Sequence, residues 1–211
     1  MSAETVALLD RVRAALVGAT DFRSGALAAA LSLVGESEHG GPNQGPVVTF
    51  LFGYWTHRLP GEPPAGEPEE PGDEAWAKWC AGFASTCYLV AEATLALRAK
   101  LSREPTRAEL EAALGHHSTW RKVGSLQVSR LWARAAAQGW TRLFPEATCE
   151  PGDLVFFYDR AAPEKLDHVG LVVAQEGRTL FTVEGNAGDA VRRRTYALDF
   201  DRLHGIARPV L

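Results

Sequence analysis

Apolar positions recur with helical spacing through the first half of the chain and give way to short, turn-bounded runs after Pro151-Gly152. Ala- and Leu-rich segments near residues 3–18 and 25–35 predict two helices, the second with Ser24 as N-cap. The loop GESEHGGPNQGP follows, and an apolar stretch resumes from Val47 to Trp55. From Trp76 the pattern is helical again to about Lys100. Thr106 and Glu109 form a capping box for a further helix ending at Gly115, and residues 125–138 form another.

Beyond Pro151 the period changes. The runs DLVFFY (153–158), HVGLVVA (168–174), TLFTVEG (179–185), AVRRRTY (190–196) and GIARPV (205–210) read as strands separated by turn residues. Helices followed by closely spaced strands predict an α+β fold, N-terminal helices packed on a C-terminal antiparallel sheet of about five strands. The expected organisation is an N-terminal helical region over 1–57, a flexible Pro/Gly/Glu loop over 58–75 and an α+β domain over 76–211. The loop, LPGEPPAGEPEEPGDE at its centre, lacks the apolar content to join a core, and its place just before Cys80 leaves a gating role open.

The chain has 211 residues, a formal net charge of -4 and a pI near 5.9. The only basic run, Arg192-Arg193-Arg194, falls on a predicted strand, so nucleic acid is not an expected partner. No stretch approaches the roughly 18 consecutive apolar residues of a membrane span. The N-terminal segment is interrupted by Asp10, Arg11 and Arg13, so no signal peptide is read there and synthesis in the cytoplasm is expected. Three cysteines, Cys80, Cys87 and Cys149, give an odd count without CxxC spacing, which argues against a disulfide framework or a metal site and raises the question of a reactive thiol.

Cys80 falls at the start of a helix, where unpaired backbone N–H groups favour a thiolate. Cys87, two turns further on among apolar neighbours, reads as core, and Cys149 lies in a loop beside Pro151. A nucleophilic thiol needs a base and a group to orient it. Of six histidines, His168 alone opens a strand. His39 and His57 flank the loops before Cys80, His116 and His117 follow a helix end, and His204 precedes a glycine turn. A hairpin through Gln175–Arg178 returns Glu184 and Asn186 towards His168. They share its face only if the connection holds an odd number of residues or the ladder contains a bulge.

Taken in order, WCAGF (79–83), PGDLVFF (151–157), DHVGLVV (167–173) and VEGNAGDAVRRRTY (183–196) resemble the CHAP family, the cysteine, histidine-dependent amidohydrolases and peptidases of the papain-like superfamily related to the NlpC-type peptidases. The upstream run from Ala30 to Leu51 resembles the lead-in of some phage-associated members. The resemblance implies a papain-like fold with Cys80 as nucleophile, His168 as base, Glu184 as orienting acid and Asn186 assisting the imidazole or the oxyanion. Trp79 is placed beside the substrate. The chain departs from the family in having Lys78 where proline is common, and in its acidic insertion. Some members bind calcium through aspartates before the cysteine. Only Asp73 stands there among glutamates, so neither metal nor cofactor is expected.

The implied activity is hydrolysis of an amide in the peptide part of bacterial peptidoglycan, by a phage lysin or a secreted antibacterial effector reaching the wall after lysis or specialised secretion. The partners implied are the peptide stem and, for an effector, an immunity protein or a delivery machine. The rival expectations are a papain-like toxin that cleaves or deamidates a protein, and a catalytically inert binding module.

Overall fold

The computed structural model describes residues 2–53, 79–114 and 120–210. The acidic loop at 58–75, Asp73, His57, the His116-His117 pair and the predicted helix end at Gly115 lie outside the described residues.

Among the described residues six α-helices precede and flank a sheet: α1 (Ala3–Ala15), α2 (Phe22–Ser32), α3 (Pro46–Gly53), α4 (Cys80–Leu101), α5 (Arg107–Leu114) and α6 (Val128–Ala137). Capping fixes several of their ends. The Ser2 hydroxyl accepts the Thr5 N–H to start α1. The α2 cap is Asp21, whose carboxylate accepts the Arg23 and Ser24 N–H groups while the Ser24 hydroxyl answers the Asp21 N–H. Ser24 is therefore the third helical residue of a capping box and not the N-cap, and the helix begins three residues earlier than its apolar spacing suggests. The Thr106–Glu109 box forms as expected, with the Thr106 N–H donating to Glu109 at 2.8 Å.

Helix α4 is the centre of the molecule. Every residue from Cys80 to Ala91 is buried, so the helix has no polar face over its first three turns. By length and composition it could cross a membrane, yet most of it is covered by protein here, as expected of a core helix. It packs on α2 and α5 and against one face of the sheet.

The sheet has six antiparallel strands: β1 (Thr141–Leu143), β2 (Leu154–Tyr158), β3 (Leu166–Glu176), β4 (Thr179–Glu184), β5 (Arg192–Ala197) and β6 (Leu203–Ala207), in the order β1-β6-β2-β3-β4-β5. β1 has only three residues, two of them exposed, so it offers no alternation by which it could be predicted. β2 is buried on both faces. Leu154 and Phe156 join the helical core, while Val155 and Phe157 join a second apolar cluster with Val172, Leu180 and Ile206.

A polar tie fastens the helices to the sheet. Asp153, with no exposed surface, accepts bonds from Arg23 of α2 at 3.0 Å and from Arg208 at 2.8 Å. A buried carboxylate is costly unless paired, and two arginines share that pairing here, so removing either would leave Asp153 with a single cationic partner.

The β3–β4 ladder decides the site. Its hairpin turns through two residues, Gly177 and Arg178, because Glu176 pairs with Thr179 and Gln175 with Leu180. That even-numbered turn would put Glu184 on the opposite face from His168. A bulge between Val172 and Ala174 then shifts the register by one, so that Val172 pairs with Thr182 and Leu171 with Val183. Continued by the same register, Gly170 stands opposite Glu184 and His168 opposite Asn186. The parity condition is met by the bulge, not by the loop.

Candidate active site

The functional side chains come from three elements. Cys80 is the first residue of α4, and its N-cap, Trp79, contributes no side-chain cap, so the first-turn N–H groups lack a capping acceptor from that residue. His168 lies three residues into β3 and Glu184 ends β4. The chain can bring α4 this close to the end of β4 because residue 185 is glycine. A Cβ there would come within 2.5 Å of Phe83 and 2.8 Å of Trp79, both on the start of α4.

The His168 Nε2 and Glu184 Oε2 atoms are 2.9 Å apart. With Glu184 ionised, Nε2 carries the proton and donates it, which leaves Nδ1 for the thiol. Cys80 lies near enough to His168 for its charge to favour the imidazolium. In its protonated form the thiol also meets the carbonyl oxygen of Asp167 at 3.9 Å. Burial disfavours the imidazolium, but Cys80 first and Glu184 second outweigh it, and His168 is pushed up to about 10 from 6.5. The side chain keeps 19% of its surface exposed, enough to meet a substrate.

Glu184 is almost closed off, at 2% exposure. Burial alone would raise its pKa, yet the carboxyl is held below the ordinary value by His168, then Thr182 and Tyr196. The Thr182 hydroxyl donates to Oε1 at 2.5 Å and the Tyr196 hydroxyl to Oε2 at 3.1 Å. Three donors thus fix both carboxylate oxygens, and burial together with the Glu184 charge pushes the Tyr196 phenol up. Gly170 completes the arrangement. A Cβ there would stand 2.5 Å from Glu184 Cγ, in the space the glutamate crosses.

Asn186 has φ 57°, a left-handed conformation that asparagine tolerates better than most residues. Together with His168 and Glu184 it lines a cavity of about 530 Å³ that also touches Arg194, Tyr196 and Arg202. Trp79 does not line it. The indole is fully buried, its N–H donates to Glu38 at 2.5 Å, and the ring packs the start of α4 against Gly185; Cys80 is as fully buried and does not line the cavity either.

Thr182 and Tyr196 went unnoticed in the sequence. Thr182 could have been found from alternation, since 182 and 184 share a face of one strand. Tyr196 could not, because its place depends on the β4–β5 register, Leu180 opposite Tyr196 and Thr182 opposite Arg194. Among the described residues no group of His, Cys, Asp and Glu is arranged to hold a metal.

The order thiol, imidazole, carboxylate is the arrangement a cysteine hydrolase requires. The family model for the CHAP domain matches residues 71–186, more than half of the chain and all of Cys80, His168, Glu184 and Asn186. The chain belongs to the CHAP family. It therefore carries a catalytic domain of the cysteine-hydrolase type. Tyr196 and Glu38 fall outside the CHAP match. Among solved structures, "The crystal structure of Ly7917" is similar at 23% identity with a TM-score of 0.28, covering 34% of this chain and 33% of that one. The chain thus spans about a third of that protein's length. No curated protein matches.

Proposed function

We propose that this CHAP protein hydrolyses an amide bond in the peptide part of bacterial peptidoglycan, with Cys80 as nucleophile, His168 as general acid and base and Glu184 as the residue that orients the imidazole. The observation that carries this reading is the His168–Glu184 pair at 2.9 Å, with the Cys80 thiol 3.9 Å from the carbonyl oxygen of Asp167, the residue before His168. In the first step the Cys80 sulfur attacks the carbonyl carbon. A C–S bond forms and the carbonyl π electrons move to oxygen, where N–H groups of the first turn of α4 receive the negative charge. Asn186, beside His168, assists there or at the imidazole. Collapse breaks the C–N bond as the imidazolium gives its proton to the leaving amine. In the second step His168 takes a proton from water, hydroxide attacks the thioester and the C–S bond breaks. The acid product leaves and the thiolate–imidazolium pair is restored.

The peptide stem as substrate is supported by the motifs the chain shares with wall-acting CHAP members and by the character of the cavity. Arg194 stands opposite Thr182 on the catalytic face and lines the space beside His168, where a carboxylate of an acidic peptide fits. The setting we infer is a phage lysin or a delivered antibacterial effector. A neighbouring holin gene favours the first and a neighbouring immunity gene the second. Incubation of purified sacculi followed by mass spectrometry tests the proposal. Wild-type protein is expected to release peptide fragments and Cys80→Ala to release none, whereas inert sacculi alongside a cleaved or deamidated protein substrate would overturn the peptidoglycan reading.

A further inference from the structure

The segment between α2 and α3 lies outside the CHAP match, yet it is built into the site. Residues 35–38 run antiparallel to 189–191. The Gly35 N–H donates to Val191 at 3.0 Å, the Val191 N–H to Glu36 at 2.7 Å and the Glu38 N–H to Asp189 at 2.9 Å, with a β-bridge between Ser37 and Ala190. This places Glu38 against the stretch that follows Asn186 by three residues.

Its carboxylate reaches the other way. Oε1 accepts the indole N–H of Trp79 at 2.5 Å, and Oε2 accepts the Asn43 backbone N–H at 2.8 Å. A buried indole N–H needs an acceptor, but any carbonyl would serve that need. A carboxylate held at both oxygens does more, because a charge-assisted bond from a fixed acceptor leaves the ring one orientation. Trp79 is the N-cap of α4 and precedes Cys80 directly, and its ring meets Gly185, between Glu184 and Asn186.

We propose that Glu38 is a positioning residue for the nucleophile: through Trp79 it fixes the first turn of α4 against the strand end that carries Glu184 and Asn186, and so sets the approach of Cys80 to His168. The proposal rests on the assignment of Cys80 and His168 as the reacting pair. Glu38 touches neither reacting atom, so its loss acts through the thiol–imidazole geometry. A displaced pair leaves the thiol without its base in reach, which slows its attack on an electrophile most at neutral pH and least in strong base.

The test follows alkylation of Cys80 by iodoacetamide against pH, read by peptide-mapping mass spectrometry on the full chain, with a thermal melt of each variant. Glu38→Ala is expected to slow Cys80 alkylation at neutral pH by about tenfold, shifting its midpoint to higher pH. Trp79→Phe, which deletes the N–H donor, should do the same. The double variant should be no slower than either single one, because both remove one link. Glu38→Gln, which keeps an acceptor for the indole, should recover most of the rate and covers the case in which the alanine variant fails to fold. A wild-type rate and midpoint in Trp79→Phe and Glu38→Ala, or a double variant whose losses add, would overturn the proposal, as would altered melting with an unmoved midpoint. His168→Ala separates the two levels. If it too leaves Cys80 alkylation unchanged, the pair itself is misassigned; if it changes alkylation and Glu38→Ala does not, only the role of Glu38 is lost.

Discussion

The first and third turns of α4 each present a cysteine, and the two differ in almost nothing but their neighbours. Cys80 is 0% exposed and Cys87 2%, so access does not separate them. Cys87 sits where the helix is surrounded by apolar side chains, and burial drives its thiol pKa well up, which keeps it neutral. Cys80 sits at the helix start with His168 beside it and a carboxylate behind the imidazole. On the proposed reading, two strands distant in sequence supply the base and its orienting acid, and the helix start supplies the position and its unpaired N–H groups.

The largest test of that contrast is removal of the thiol. Cys80→Ala and His168→Ala are each expected to cut hydrolysis by about 10⁴-fold or more while leaving the circular dichroism spectrum intact. Cys87→Ala should keep activity within about twofold and cost roughly 1 kcal/mol of stability in denaturant melts, the price of a small buried side chain. Equal losses from the two cysteines would break the comparison.

Next in size is the carboxylate. Glu184→Gln should lower kcat by about 10–100-fold, since it removes the charge that orients and stabilises the imidazolium. The pH profile gives the sign. His168 is raised from 6.5 to about 10, so the imidazolium and the stability it lends are full below 6.5 and lost as pH rises towards 10. Without the Glu184 charge that upper limit falls, and the alkaline limb of kcat/KM should move to lower pH. Glu184 runs the opposite way. Its folded pKa lies below 4.5, so its contribution is present above 4.5 and disappears as pH falls through the lower folded value.

Smaller effects come from the groups that hold Glu184. Tyr196→Phe removes one donor to Oε2 and should lower kcat about tenfold, with the acid limb moved upwards because the carboxylate loses part of its stabilisation. Thr182→Val should act similarly, and Thr182→Ser should retain most activity. Gly170→Ala sharpens the picture further. The added methyl meets Glu184 Cγ, so kcat should drop more than thermal stability if the cost falls on the orientation of the carboxylate.

How far the sequence could lead is visible in the same residues. The helical half and the five longer strands follow from spacing, and the proposed nucleophile, base and acid follow from the resemblance of four ordered motifs. The shared face of His168 and Glu184 was legible only as a condition, because a one-residue bulge at Val173 leaves no mark in the continuous apolar run Val169–Ala174. Tyr196 and Glu38 depend on pairings across stretches whose register turns do not fix, between β4 and β5 and between residues 35–38 and 189–191. The packing of Trp79 was hidden for a related reason. An aromatic residue beside a nucleophile suggests a substrate contact, and only packing shows the ring turned inward onto Gly185 and Glu38. The short β1 lacks the length to carry any pattern.

The most direct test of the central claim is competitive alkylation of the three cysteines of the native protein by limiting iodoacetamide at neutral pH, resolved by peptide-mapping mass spectrometry. The account predicts that Cys80 is modified about a hundredfold faster than Cys87 or Cys149 and that His168→Ala abolishes the difference. Modification of Cys87 or Cys149 at the rate of Cys80, or an advantage for Cys80 that survives the loss of His168, would contradict it.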